Sequence, residues 1–354
     1  MRGSEADVRV TSPTNTLARD LDDVLEQTRD LFERLRGQSV LITGGTGFVG
    51  TWLLEALVWA DQRLSLGTRA FVLTRYPEQF ARRAPHLASA PTVELLTGDV
   101  RSVEWPDREF AYVVHGATPS DAELNEGSPR EMLDIIEGGT HHVLELVSQM
   151  DCARLLLLSS GAVYAPSCTG VALDEESEIG PAWPAETSAY HAGKRAAEHE
   201  VTKSGCDATI ARLFAFVGPY LPLNRHFAIG NFIGAAVKGQ AVAVAGDGKP
   251  VRSYLYGSDM AAWLWAMLLH PRADGRTFNV GSEDAVSVGD VARLVAETIA
   301  PPCAVSVAGG GARGAGLFYV PSTAKARTEL GLRQTVELPE ALRRTMAWHT
   351  ALAA

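Results

Sequence analysis

The stretch between residues 40 and 50 constrains the fold of this chain more than any other. Apolar residues 40–42 read as a strand, which runs into a glycine-rich turn with Gly44, Gly47 and Gly50 and then into a helix. Where the turn has no Cβ, backbone N–H groups can approach a pyrophosphate, and the helix N-terminus adds partial positive charge. This order of elements predicts a dinucleotide-binding α/β fold.

Strands and helices alternate from residue 38 onward. This order predicts a Rossmann-type α/β fold, a doubly wound parallel sheet with helices on both faces and right-handed crossovers. The predicted strands are residues 40–42, 70–73, 93–96, 112–115, 155–158 and 208–212. The predicted helices are residues 52–59, 132–150 and 190–202.

The chain divides into three predicted regions. In residues 1–37 an apolar stripe at helical spacing, ended by Gly37, predicts a helix that packs on the main domain. A contact in an oligomer or a lid is the alternative for this helix. Residues 38–215 form the predicted dinucleotide-binding domain. Residues 216–354 are rich in proline and glycine turns and predict a smaller mixed C-terminal lobe, mainly substrate-binding and interleaved with the sheet.

Composition excludes several classes of partner. The formal net charge of −10 over 354 residues argues against nucleic acid, because no basic surface is implied. The four cysteines form no CxxC pair, so we expect free thiols and no metal site. The first residues lack the apolar core of a signal peptide, and no apolar run is long enough to span a bilayer. We therefore expect a cytoplasmic protein that does not bind a membrane.

The ends of the first four strands form the candidate cofactor site, since ligands of an open α/β sheet bind at that edge. Asp99 is placed to accept a hydrogen bond from adenine, and small residues such as Ala117 let a cofactor lie close. The candidate cofactor-binding residues at these strand ends are Gly44, Thr46, Gly47, Phe48, Val49, Thr74, Arg75, Asp99, Val100, His115 and Ala117.

The second strand ends at Thr74 and Arg75, where an acidic residue would favour NAD by binding the ribose 2′-hydroxyl. Arg75 can instead pair with a 2′-phosphate or stack on adenine. We therefore expect NADP rather than NAD, and comparable affinity for both would contradict this. The alternative is that Arg75 is a solvated surface residue.

Tyr190 and Lys194 are one helical turn apart and share a helix face. The ammonium and an oxidised nicotinamide ring both favour the phenolate, which lowers the tyrosine pKa from about 10. The phenolate can then take the proton of a substrate hydroxyl as hydride leaves for the nicotinamide. Ser160, at the end of the fifth strand, can bond the same oxygen. We expect all three to be catalytic, with Tyr190 and Lys194 also touching the cofactor and Ser160 the substrate.

The chain resembles the extended short-chain dehydrogenase/reductase family, in particular its NAD(P)-dependent nucleotide-sugar epimerases, dehydratases and decarboxylases. The resemblance covers about residues 38–350 and lies in the motifs GGTGFVG (44–50), SSGAVY (159–164), YHAGK (190–194), RLF (212–214), VGP (217–219), GKPVRSY (248–254) and FNVG (278–281). It implies the catalytic trio Ser160, Tyr190 and Lys194.

The same resemblance implies a nucleoside-diphosphate sugar as the substrate. Arg252 matches the family arginine that pairs with the substrate diphosphate, a task that suits a guanidinium fork. Asn231 matches a position that contacts the nucleotide, and His226 lies nearby as a weaker candidate. Ile136 and Ala215 stand where the family has asparagines. The first departure bears on the water network of the active site, and the second suggests an unusual sugar or nucleotide.

Two small residues bear on the type of reaction. Family members share oxidation of the sugar, usually at C4. The 4,6-dehydratases carry an Asp-Glu pair where Gly161 and Ala162 stand, and the decarboxylases carry a glutamate in place of Ala162. Since neither residue can transfer a proton, we expect an epimerase that returns hydride to the other face of a transient keto sugar. An NADPH-dependent ketoreductase is the nearest alternative, and a dehydratase or decarboxylase would need another acid or base.

Two other kinds of function are alternatives to a nucleotide-sugar enzyme. A non-catalytic cofactor sensor shares this fold, although such proteins usually lack the tyrosine–lysine pair. A steroid- or flavonoid-type reductase is a third reading, which the Arg252 segment argues against. Because family members often dimerise through the helices that here span residues 132–150 and 190–202, we expect a homodimer.

Overall fold

A parallel seven-stranded sheet lies at the centre of the computed structural model, which describes residues 15–118, 125, 127–165, 167–180, 188–224, 227–309 and 318–353. The strands in chain order are β1 (Ser39–Thr43), β2 (Arg69–Thr74), β3 (Val93–Thr97), β4 (Tyr112–His115), β5 (Arg154–Ser160), β6 (Ala208–Leu213), β7 (Phe216–Val217), β8 (Val242–Val244), β9 (Val251–Arg252), β10 (Leu255–Tyr256), β11 (Thr277–Val280), β12 (Val286–Ser287), β13 (Val305–Val307) and β14 (Phe318–Tyr319).

Helices connect most of these strands. In chain order they are α1 (Ala18–Phe32), α2 (Phe48–Leu64), α3 (Pro77–Arg83), α4 (Pro85–Ala88), α5 (Pro129–Ser148), α6 (Ala189–Ser204), α7 (Ala228–Val237), α8 (Gly257–Leu269), α9 (Val288–Thr298), α10 (Ala324–Leu330) and α11 (Leu338–Ala353). Short 3₁₀ turns lie at Glu33–Leu35, Gly161–Val163 and Pro271–Ala273. The predicted strands and helices in residues 38–215 are confirmed, each shifted by a few residues at its ends.

The strand order of the main sheet is β11-β6-β5-β4-β1-β2-β3, and all six pairings are parallel. The chain first builds outward from β1 to β3 and then returns to the other side of β1. The order therefore reverses between β1 and β4, which is where open sheets of this type bind ligands. This confirms the predicted doubly wound α/β fold.

Both faces of the sheet are buried, as the alternation of side chains shows. In β1, Val40 and Ile42 join one apolar core with α1, α2 and α8, whereas Leu41 joins a second core with α5 and α6. All thirteen residues of α8 are buried, which explains why that segment is apolar on every side. The sheet is thus held rigid between two helical layers.

The helix predicted from the apolar stripe of residues 1–37 is α1. It packs against α8 and α2, with Leu21 and Val24 almost fully buried. Its Asp20 accepts a 2.8 Å hydrogen bond from the Tyr256 hydroxyl and pairs with Arg344 of α11. The packing on the main domain that we predicted is confirmed.

The C-terminal third combines short strands with helices. β11 adds to the edge of the main sheet beside β6, while β9 pairs with β12 and β14 in a separate small sheet. The predicted helix start at residues 287–290 is confirmed, since the Ser287 hydroxyl accepts the Asp290 N–H at 3.0 Å. None of the helices within the described ranges has the length and apolar character needed to cross a bilayer.

Candidate active site

A cavity of about 1320 Å³ runs along the carboxyl ends of the central strands. Its walls come from the β1–α2 turn, the ends of β2, β4 and β5, helix α6 and the small sheet of β9 and β14. Sites for one small ligand usually measure about 300–1,000 Å³. The larger volume here has room for two ligands that meet at the end of β5.

The glycine turn forms one end of this cavity. Gly44 has a φ of +71°, and a Cβ there would lie 2.4 Å from the Gly116 carbonyl oxygen. A Cβ on Gly50 would lie 2.4 Å from the Gly45 Cα, so the helix start also requires close backbone packing. The first turn of α2 opens onto the cavity with Gly47 at its N-cap. This cradle suits a dinucleotide pyrophosphate.

Most of the predicted cofactor residues line the cavity. They are Gly44, Thr46, Gly47, Phe48, Val49, Thr74, Arg75, Asp99, Val100, Ala117, Tyr190 and Lys194. His115 does not, since its ring is buried beneath the turn between Thr43 (2.8 Å) and Thr140 (3.2 Å). Burial, with the nearby Lys194 charge, lowers the pKa of His115 to about 3. The ring therefore serves as a neutral packing group behind the cofactor site.

Two arginines lie at the adenosine end. Arg75 is exposed at the end of β2 and also lines the cavity, and Arg83 of α3 reaches back to donate to the Thr46 carbonyl and, at 3.1 Å, to the Thr51 hydroxyl. Nothing in the local sequence pointed to Arg83, because its approach to the turn depends on how α3 folds back. Opposite them, hydrogen bonds from Arg101 hold the pKa of Asp99 at about 2. The Asp99 carboxylate is therefore charged and able to accept from an adenine amino group.

The predicted catalytic residues meet at the end of β5. The first turn of α6 carries Tyr190, and the next turn carries Lys194, whose ammonium donates to the Leu158 carbonyl at 2.7 Å and the Thr118 hydroxyl at 2.8 Å. Ser160 is the last residue of β5, and its hydroxyl lies close enough to Tyr190 to lower the pKa of that phenol. The structure thus brings a phenol, an ammonium and a hydroxyl to one place in the cavity.

The pKa of Tyr190 differs in direction from the sequence-based expectation. Burial raises the pKa of Tyr190, and the nearby Ser160 hydroxyl is the opposing influence. The Lys194 nitrogen is 5.9 Å from the centre of the Tyr190 ring, and burial lowers its own pKa to about 8. The Lys194 ammonium alone therefore does not lower the pKa of Tyr190. The expected lowering depends on the positive charge of an oxidised nicotinamide ring.

A buried polar network supports the catalytic helix from behind. Glu198 of α6 accepts from the Ser159 hydroxyl and pairs with Arg212 of β6 at 2.8 Å. Arg212 also donates to the Tyr164 hydroxyl at 2.9 Å, which in turn donates to Asn279 of β11 at 2.7 Å. Because each of these five side chains has a hydrogen-bond partner, the network fixes α6 against the sheet.

The other end of the cavity is aromatic and cationic. Arg252 of β9 lies there, half-buried, with its guanidinium 5.5 Å from the centre of the Tyr319 ring. Tyr319 packs on Phe214 with ring centres 4.6 Å apart. Asn231, by contrast, is exposed on α7 and does not line the cavity. His226 lies outside the described residues.

Sequence reasoning missed Tyr319. It follows a glycine- and alanine-rich stretch that matches no motif, and only the pairing of β14 with β9 places it opposite Arg252. Among the residues that the structure describes, no cluster of three or more histidines, cysteines or carboxylates could hold a metal ion.

The fold and the glycine turn define a dinucleotide-binding α/β protein whose cavity brings Tyr190, Lys194 and Ser160 together. The family model for the NAD dependent epimerase/dehydratase family matches residues 40–281. The chain therefore belongs to the NAD dependent epimerase/dehydratase family, and the prediction of NAD or NADP as cofactor is confirmed.

Known proteins with different activities are similar to this chain. UDP-glucuronic acid decarboxylase 1 of Arabidopsis thaliana is 29% identical over 278 residues, which cover 77% of this chain and 60% of the decarboxylase. A dTDP-glucose 4,6-dehydratase of Streptomyces niveus is 27% identical over 315 residues, or 88% of this chain and 92% of the dehydratase. The match thus spans less than two thirds of the plant decarboxylase.

A solved structure shows the same fold. The UDP-glucuronic acid 4-epimerase of Bacillus cereus, in complex with UDP-glucuronic acid and NAD, superposes with a TM-score of 0.75 at 19% identity. The superposition covers 89% of this chain and 99% of the epimerase. The family and the fold are therefore established, and the similar proteins differ in the reaction that their names give.

Proposed function

We propose that this chain is an NAD(P)-dependent nucleotide-sugar epimerase that acts at C4 through a transient keto sugar. The observation that supports this reaction is the wall next to Ser160. A Cβ on Gly161 would lie 2.6 Å from the Tyr319 hydroxyl and 2.8 Å from the Phe214 ring. An acidic side chain at that position would require both rings to move, and neither Gly161 nor Ala162 has a group that transfers a proton.

The inventory of acids and bases supports the same reading. Among the described residues that line the cavity, Asp99 is the one carboxylate, and Arg101 holds it at the adenosine end. Removal of water across two sugar carbons needs both an acid and a base near the sugar. Hydride removal and return needs only a group that takes and gives back one hydroxyl proton, and Tyr190 is that group.

The chain's own residues divide the work as follows. NAD(P), when bound, accepts the hydride and returns it. Tyr190 takes the proton of the sugar hydroxyl and later gives it back to the keto oxygen. Ser160 stabilises the phenolate by a hydrogen bond, and Lys194 places a positive charge beside it. Arg252 pairs with the substrate diphosphate, so the nucleotide stays anchored while the sugar turns over.

A ketoreductase that uses exchangeable NADPH is the second candidate. The observation that favours it is the pair of arginines, Arg75 and Arg83, at the end where an adenosine 2′-phosphate would lie. An epimerase keeps its cofactor through the cycle, whereas a reductase must exchange it. The two candidates therefore differ in whether turnover needs added nucleotide.

The test is product analysis on a panel of nucleotide sugars, without added cofactor. We expect a product of unchanged mass with a new retention time, and Tyr190→Phe should reduce its rate by about 10²–10⁴-fold. Loss of water or carbon dioxide would refute the argument from Gly161. A gain or loss of two hydrogens that depends on added NADPH or NADP would support the reductase. A chain that binds nucleotide but converts no sugar would be a sensor.

A homodimer through α5 and α6 is part of this proposal, because these two helices pack against each other at one flank of the sheet. Light scattering that shows only monomer would contradict it.

We further propose a cytoplasmic location, where nucleotide sugars and NAD(P) are both present. Secretion of the chain by its source cell would contradict this.

A further inference from the structure

Tyr319 lies in the catalytic centre although it comes from the far end of the chain. Its strand, β14, pairs in parallel with β9, and Tyr319 stands opposite Arg252 in that pairing. A 2.8 Å hydrogen bond from the Phe318 N–H to the Ser167 carbonyl holds the strand from the other side. The position of the Tyr319 ring is thus fixed by backbone pairing and by its packing on Phe214.

The Tyr319 hydroxyl occupies the space that a side chain at residue 161 would need. A Cβ on Gly161 would lie 2.6 Å from this oxygen. The Ser160 hydroxyl lies close enough to Tyr319 to lower the pKa of that phenol, and it has the same influence on Tyr190. Ser160 therefore lies between two phenols, one from α6 and one from β14.

The hydrogen-bond capacity of Ser160 sets the direction of these bonds. A serine hydroxyl has one proton to donate and two lone pairs that accept. One lone pair accepts the Ala162 N–H at 3.2 Å. When Tyr190 is a phenolate it can only accept, so the Ser160 proton must point toward it. The second lone pair of Ser160 is then left for the Tyr319 O–H.

We propose that Tyr319 is a positioning residue that donates to Ser160 and so fixes the Ser160 hydroxyl as a donor to the Tyr190 phenolate. This inference rests on the proposed function, since it assigns a further residue to the same proton transfer. Burial raises the pKa of Tyr319, so the group keeps its proton and stays a donor while Tyr190 is ionised. Successive hydrogen bonds that point the same way strengthen one another.

The test measures the ionisation of Tyr190 rather than turnover. Tyrosinate absorbance is titrated against pH in the complex with NAD⁺, and the Tyr190 transition is the one that disappears in Tyr190→Phe. Tyr319→Phe keeps the ring on Phe214 and removes only the hydroxyl. We expect this change to raise the Tyr190 pKa by about half a unit, which at a pH below the pKa is about a threefold loss of phenolate.

A double-mutant cycle separates action through Ser160 from a general effect of the hydroxyl. In a Ser160→Ala background, Tyr319→Phe should no longer move the Tyr190 pKa. Tyr254→Phe is the matched control, because Tyr254 is another buried phenol beside Arg252 whose pKa shows no influence of Ser160 or Tyr190. It should leave the Tyr190 transition in place.

Three results would overturn the inference: an unchanged Tyr190 pKa in Tyr319→Phe, an equal shift with and without Ser160, or no Tyr190 transition distinct from the other tyrosines. The proposed function fails separately. Absence of any sugar conversion would remove it even if the titration behaves as expected, whereas normal epimerisation with an unchanged titration would remove only the role of Tyr319.

Discussion

Replacing Gly44 by alanine tests whether the glycine turn builds the cofactor site. The added Cβ would lie 2.4 Å from the Gly116 carbonyl oxygen and 2.8 Å from the Ala117 nitrogen. Both contacts are with backbone, so no side chain can rotate away to make room. The residue would also have to keep a φ of +71°, which alanine rarely adopts.

These two effects set the expected magnitude. A left-handed backbone costs a non-glycine residue about 1–2 kcal/mol, and forced overpacking costs about 1–3 kcal/mol, so we expect a loss of about 2–5 kcal/mol in the free energy of unfolding. Relief of the overlap requires the end of β4 to move. Thr118 follows directly and holds the Lys194 ammonium at 2.8 Å, so the shift reaches the catalytic centre.

Denaturant unfolding and calorimetric titration with NAD measure the two consequences. We expect a fall in NAD affinity of about 100-fold or more, since a shift of about 1 Å in a positioned site has effects of this size. Gly67→Ala is the matched control, because Gly67 has a φ of +67° but nothing within 4 Å of its added Cβ. Gly67→Ala should lose only about 1–2 kcal/mol of unfolding free energy, which is the cost of the left-handed backbone, and it should bind NAD normally. If Gly44→Ala were no less stable than Gly67→Ala and bound NAD equally well, our view of the turn would be wrong.

Two further predictions concern charge. Burial lowers the pKa of Lys194 to about 8, so kcat/KM should fall as pH rises through about 8 and the ammonium is lost; a pH profile that stays flat above that value would count against the role of Lys194. Arg75→Ala should weaken NADP binding by about tenfold or more and leave NAD binding unchanged, because only NADP has the 2′-phosphate. Arg82→Ala is the control, as Arg82 is exposed on the same helix as Arg83 but does not line the cavity. Equal loss for both nucleotides in Arg75→Ala would show that the arginine stacks on adenine instead.

The features that the sequence predicted well are those set by local pattern. The strand, turn and helix around Gly44 follow from apolar spacing and from glycine, and the spacing of Tyr190 and Lys194 places both on one face of α6. Ser160 was found because strand ends of an open sheet share one edge. In each case the pattern of a short segment is enough to predict the feature, without knowledge of the tertiary contacts.

The features that the sequence missed depend on contacts between distant segments. His115 lies at a strand end, yet the two threonines on either side of its ring turn it into the core. Arg83 approaches the glycine turn only because α3 folds back over it. Asn231 matched a family position, but its side of α7 faces solvent. Periodicity gives the face of a helix in general terms, and it does not give the rotation of that helix against its neighbours.

The position after the catalytic serine shows how such a distant contact can limit chemistry. A Cβ at residue 161 would lie 2.6 Å from the Tyr319 hydroxyl, so a side chain at this position requires the rings of Tyr319 and Phe214 to move. An acidic side chain beside Ser160 and the Tyr319 hydroxyl therefore compete for one small volume. Replacing Gly161 by an acid would therefore displace Tyr319 and Phe214, and with them the donor that we propose for Ser160. In the mechanism that we propose, the proton chemistry of this site therefore depends on both Gly161, next to the serine, and Tyr319, from the last third of the chain.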